Sequence, residues 1–230
     1  MEKVKPSQAV QSGQQASKWP YIVGLGIILG SEYLVRDILL PMPARDAVIG
    51  IAMAVEWLVL LVLLAYWLPK VEGRGLSSIG LSRFRWRHLW RGAVVYLLAT
   101  LAMTGSGLVV QSMGLPTIRS LQPMIKGYSA LTLLGLFLTG TFVEEVFYRG
   151  YLVERVTSLT GRRWLAALFS WLAFTGVHLR FFGLGPTLDV SVLSAALVLL
   201  YLRERSIWPC VVVHGLNGLF AYLVFPLLMP

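Results

Sequence analysis

Seven mostly apolar stretches of 15 to 24 residues follow one another along this chain, and runs of about 20 are long enough to cross a bilayer's hydrocarbon core as a helix. They fall at residues 19–40, 47–69, 92–113, 129–152, 164–180, 189–203 and 207–228. In lipid, only helices and closed barrels satisfy every backbone N–H and C=O. Runs of this length exclude the short alternating strands of a barrel. The expected fold is therefore all-α: a polytopic transmembrane helical bundle of about seven spans. Composition agrees, with 57% hydrophobic and 13% charged residues, against about 45–50% and about 25% in a soluble domain.

The net charge of +9 raises nucleic acid as a partner, but on a membrane chain basic residues set topology. No nucleic-acid role is expected, and the bilayer is the surrounding partner. Residues 1–18 form a polar tail with Lys3, Lys5 and Lys18, and residues 19–128 form the N-terminal helices. These helices are broken by a basic loop at 70–91, where Phe84, Trp86 and Trp90 alternate with Arg83, Arg85, Arg87 and Arg91. Aromatics at headgroup level and arginines toward anionic lipid make that loop an interfacial segment. With the N-terminus inside, the tail, this loop and the basic residues from Arg149 to Arg163 and at Arg203 and Arg205 share one side. That side holds 15 of the 20 basic residues; Arg36, Arg45, Arg119, Lys126 and Arg180 lie opposite. The expected location is the cell membrane, multi-pass, with a cytoplasmic N-terminus. Cys210, the single cysteine, is apolar filler and permits no internal disulfide.

Ionisable groups within spans cost about 2.5–3.5 kcal/mol each and mark function by default. Glu32 and Glu56 stand alone in their spans, Arg36 lying one turn from Glu32, and read as helix-to-helix partners. The fourth span differs because Glu144 and Glu145 are adjacent in Phe142-Val143-Glu144-Glu145-Val146-Phe147-Tyr148-Arg149. Glu145 and Arg149, four apart, share a face in the favourable acid-before-base order. Two neighbouring carboxylates in low dielectric cannot both stay charged cheaply. Arg149 keeps Glu145 ionised as structural support, and Glu144 is the proton acceptor.

Of the three histidines, His88 sits in the basic loop and takes no role. His178 closes the fifth span, and His214 lies in the seventh, shortly before Asn217. The fourth and fifth spans turn near Gly161, with Glu144 17 residues before and His178 17 after it. Equal rise per residue puts the two at one depth. His214, eight residues beyond the turn near Ser206, reaches the same level in the inner half of the bilayer. Substrate is accordingly expected from the cytoplasmic side. A carboxylate, two imidazoles and an amide suit hydrolysis by an activated water, with donors placed for the developing oxyanion.

These residues resemble the CPBP family, the CAAX-type and bacteriocin-processing intramembrane proteases. Its EExxxR pattern is met by Glu144, Glu145 and Arg149, its FxxxH pattern by Phe174 and His178, and its final His/Asn motif by His214 and Asn217. The asparagine stands at plus three, where the family often has plus four (here Gly218). Ser191 and Ser194 occupy the place of an FxxG pattern. The resemblance implies a catalytic core over residues 129–228. It implies Glu144 as general base, His178 as its water-orienting partner, and His214 with Asn217 as oxyanion hole. It implies a peptidase acting without a cofactor on a peptide or protein, lipid-modified or membrane-anchored. Two other readings stand beside it: a non-catalytic immunity or partner protein on the same fold, and a zinc hydrolase using Glu144, His178 and His214 as ligands.

Overall fold

The computed structural model describes residues 17–35 and 46–224, and over these the chain is helical without strands. Seven principal helices run in order: α1 (Trp19–Tyr33), α2 (Asp46–Val71), α3 (Trp86–Ser112), α4 (Ala130–Thr160), α5 (Arg163–Phe182), α6 (Leu184–Glu204) and α7 (Trp208–Val224). The five from α2 to α6 are long and apolar enough to cross a membrane; α7 is shorter. Lys3, Lys5, Arg36 and Arg45 lie outside the described residues, as does most of the expected tail.

Local chemistry sets the ends. Pro20 and Pro209 stand in the first turns of α1 and α7, where a missing N–H costs nothing. Gly161 closes α4 at φ 71°, a left-handed conformation that glycine adopts without strain, and α5 returns at once. Gly92 lets α3 touch α7: a Cβ there would stand 2.6 Å from the Val212 Cβ. The most extensive helix packing joins α5 to α6 and α3 to both α7 and α6.

The core is polar at its centre. Every residue from Val143 to Val153 on α4 is buried, Glu144, Glu145 and Arg149 among them. Of the most apolar 18-residue window, 56% is buried in α6 and 11% in α3. The α4–α7 region is thus a protein-lined centre, and α3 is largely lipid-facing wall.

Three boundaries differ from the sequence expectation. The basic loop is shorter than 70–91, because α2 continues to Val71 and α3 already begins at Trp86. Trp86 and Trp90, 81% and 70% exposed, lie on the first turns of α3 rather than in a separate segment. Helix α4 runs to Thr160 instead of leaving the membrane near Leu152. Its last turns carry charge yet are covered by protein: Tyr201 and Arg205 hold Glu154 at 2.7 and 2.6 Å, and Glu72 holds Arg155 at 2.7 Å. Helix α6 begins at Leu184 rather than 189, which brings Asp189 inside it.

Candidate active site

Glu144 and Glu145 sit where α4 leaves ordinary α-winding. Thr139–Val143 and Glu145–Leu152 are wound as π-helix, a rare form concentrated at functional sites. The local sign of it is modest: Thr139, Thr141 and Val143 are β-branched and crowd an α-helix.

The expected ion pair is present. Glu145 is wholly buried, and its Oε1 accepts from Arg149 Nη1 at 3.1 Å. The same oxygen lies 2.8 Å from His214 Nδ1. Arg149 is also wholly buried; its Nη2 donates to Ser194 Oγ at 3.1 Å, and its guanidinium carbon stands 4.2 Å from the Phe174 ring centroid. One Glu–Arg pair therefore ties α4 to α5, α6 and α7. Ser194, standing near the place of the missing FxxG pattern, supplies a hydrogen bond to this tie.

His178 and His214 are both anchored through Nδ1. His178 Nδ1 lies 2.7 Å from the Phe174 carbonyl oxygen, an acceptor only, so Nδ1 carries the proton and Nε2 holds the lone pair. The Phe174 ring stands 4.5 Å away, fixing the imidazole from one side. For His214, Nδ1 faces the Glu145 carboxylate, leaving Nε2 toward Gly140, where a Cβ would come within 3.8 Å. Glu144 and His178 are each 7% exposed.

Glu144, His178, His214 and Asn217 line a single cavity of about 1010 Å³, together with Phe174 and Glu56. All four motif residues thus border the same cavity, Asn217 at plus three included. The depth is not as foreseen. His178 lies four residues before the end of α5 at Phe182 and fifteen after its start at Arg163, roughly 6 Å against roughly 22 Å of helix. The cavity runs on to the connection between α3 and α4, where Leu115, Thr117, Ile118 and Arg119 form its rim. It thus reaches the end of the bundle opposite the Gly161 turn. The spacing argument misjudged this because α4 extends past Leu152 and π-winding makes its rise unequal to that of α5.

Two features escaped the sequence reading. Asp189, only 2% exposed, lines the cavity from α6 with its carboxylate on the Ser106 hydroxyl of α3. Opposite it, Thr100, Thr104, Gly107 and Gln111 form a stripe of small and polar side chains at helical spacing on α3, all lining the cavity. Among the described residues no three His, Cys, Asp or Glu side chains form a group able to hold a metal.

Residues 126–220 match the family described as Type II CAAX prenyl endopeptidase Rce1-like. The likeness to that CAAX protease family covers this region and no more of the chain. The match begins just before α4 and ends within α7, so it takes in all the motif residues that line the cavity. The family is one of proteases, and the matched stretch takes in the helical residues from α4 to α7 that line the cavity. No curated protein and no solved structure matches the chain.

Proposed function

We propose that the chain is an intramembrane glutamic-type endopeptidase that hydrolyses a peptide bond of a membrane-anchored or lipid-modified substrate with a water activated by Glu144. The observation that carries this reading is that Glu144, His178, His214 and Asn217 all line one cavity. Glu144 removes a proton from water as the oxygen attacks the scissile carbonyl. His178, its Nε2 lone pair set by the Phe174 carbonyl, accepts a hydrogen bond from the same water and orients it. The carbonyl oxygen gains negative charge and meets the Asn217 amide and His214.

The role of His214 depends on Glu145. With Nδ1 held by the carboxylate at 2.8 Å, the ring's orientation is fixed with Nε2 toward Gly140. Glu145 thus positions His214 beside the reacting carbonyl, much as the aspartate of a catalytic triad orients its histidine. Collapse of the tetrahedral intermediate returns the proton from Glu144 to the leaving amine.

The decisive test is Glu144→Gln in the full chain, reconstituted in lipid with membrane-anchored peptides. Cleavage is expected to fall by about 10² to 10⁴-fold, with thermal unfolding unchanged and with wild-type cleavage insensitive to a chelator. Undiminished turnover by Glu144→Gln rules out the general-base role, and turnover by neither protein favours a non-catalytic partner function.

Orientation follows from charge. We place the N-terminus and the Gly161 turn in the cytoplasm of a multi-pass cell-membrane protein, and the rim at Leu115–Arg119 then faces the opposite side. Single cysteines at exposed Ser77 and Thr160 should resist an impermeant thiol reagent in intact cells, whereas one at exposed Ser120 should react. The reverse pattern returns the cavity mouth to the cytoplasm.

A further inference from the structure

The buried acids near the inner ends of the helices are matched by arginine: Glu145 by Arg149 at 3.1 Å, Glu72 by Arg155 at 2.7 Å, and Glu154 by Arg205 at 2.6 Å. Asp189 breaks the pattern. It is 98% buried on α6, yet among the described residues its carboxylate has the Ser106 hydroxyl as hydrogen-bond partner and no cation. A carboxylate withdrawn from water without a counter-charge is costly in a bundle interior. It is also a wall residue of the cavity that holds Glu144 and His178.

We propose that Asp189 is a specificity-determining residue that receives a cationic nitrogen of the peptide substrate. The proposal rests on reading the cavity as a peptide site and adds the class of side chain it selects.

The surroundings fit a carboxylate held ready for a ligand. Across the cavity α3 presents Gly107, and a Cβ there would lie 3.8 Å from both Asp189 oxygens. A larger side chain would cover them; glycine leaves them reachable. Thr100 and Thr104 turn their hydroxyls to carbonyls of their own helix, at 2.9 Å each, and so do not compete for the carboxylate. Ser106 fixes one oxygen, leaving the other for an incoming donor.

Position adds a spacing rule. Asp189 precedes Ser194, the α6 contact of Arg149, by five residues, roughly 7.5 Å along the helix. The start of α6 abuts the cavity rim, since a Cβ on Gly185 would collide with the Pro116 carbonyl. Asp189 therefore lies between the rim and the Glu145–Arg149 tie. An extended chain advances about 3.3 Å per residue, so the favoured cation sits roughly two or three residues from the scissile bond.

The experiment measures binding separately from turnover. Fluorescent, N-acetylated hydrophobic peptides carrying one lysine at each position in turn are paired with norleucine twins and titrated onto Glu144→Gln in nanodiscs. One lysine register is expected to bind about 10- to 100-fold more tightly than its twin, the range of a charge-assisted hydrogen bond. Adding Asp189→Asn, which keeps the volume and the Ser106 contact, should bring that ratio to near one while leaving the norleucine peptide unchanged. Gly107→Val, which covers the carboxylate without removing it, should do the same and guards against misfolding of the first variant. A free N-terminus in place of the acetyl group tells a terminal amine from a lysine side chain. Lysine preference that survives both variants, no preference in any register, or no binding of any peptide overturns the proposal. Lysine-dependent binding without cleavage by the wild type would leave Asp189 its role and remove the protease reading; cleavage indifferent to lysine would do the converse.

Discussion

Two buried glutamate–arginine pairs occupy α4 and its surroundings, and they do different work with the same chemistry. Glu145–Arg149 sits behind His214 and Phe174, which line the cavity, and Glu72–Arg155 sits near the inner end, where Tyr151 donates to Glu72 at 2.5 Å and Ser78 accepts from Arg155 at 3.0 Å. Both arginines lie over aromatic rings, Phe174 for Arg149 and Tyr151 for Arg155, at 4.2 and 5.0 Å. The difference lies in what shares the carboxylate: Glu145 also holds His214, whereas Glu72 holds a tyrosine that faces no cavity group. Burial of an ion pair alone is thus no sign of catalysis; a histidine hung on the same oxygen is.

The comparison can be broken by mutation. The largest effect is expected from Arg149→Ala, which leaves Glu145 charged and unpaired at a cost of roughly 3–5 kcal/mol and frees the Phe174 face that packs on His178. Folded yield and cleavage should both collapse, read by detergent-solubilised thermal unfolding and by turnover per folded molecule. A stable but inactive Arg149→Ala would move the guanidinium from support into the reaction.

Glu145→Gln comes next. Glutamine can still touch His214 but gives Arg149 no anion and anchors the imidazole less firmly, so turnover per folded molecule should drop by roughly 10² to 10⁴-fold, as when a triad loses its orienting carboxylate. An equal loss in Glu72→Gln would erase the distinction between the pairs. Arg155→Ala sharpens it from the other side: stability falls by roughly 3–5 kcal/mol, while the molecules that remain folded turn over normally. The smallest change is expected from Ser194→Ala, which removes one hydrogen bond to Arg149 and costs roughly 1–3 kcal/mol, with turnover reduced only as far as His178 and His214 shift.

Much of the site was legible because its groups are rare in lipid. Glu144, Glu145, His178 and His214 stand out against apolar spans, and the acid-before-base spacing announced the Arg149 pair. Asp189 was not legible for a specific reason: read from hydropathy, the sixth span starts at that residue, so an acid inside a helix passes for an acid at its end. The π-winding of α4 was equally hidden, since it reflects how the turns accommodate neighbours more than local propensity. The helix-three stripe was visible as spacing, but Thr and Gly in a membrane helix ordinarily mean close packing, and only the cavity beside them gives them another meaning.

Sequence by itself determined that this chain is a bundle of apolar helices suited to a membrane, and which few polar residues that bundle must shelter. Those follow from one-dimensional quantities: run length against bilayer thickness, and the cost of an ionisable group in hydrocarbon. Tertiary structure decided which oxygen of Glu145 serves His214, that among the described residues Asp189 meets Ser106 rather than an arginine, and that the cavity reaches the Leu115–Arg119 rim. These depend on which faces of separate helices meet, and that is set by packing among side chains distant along the chain, such as Gly92 against Val212 and Arg149 against Ser194.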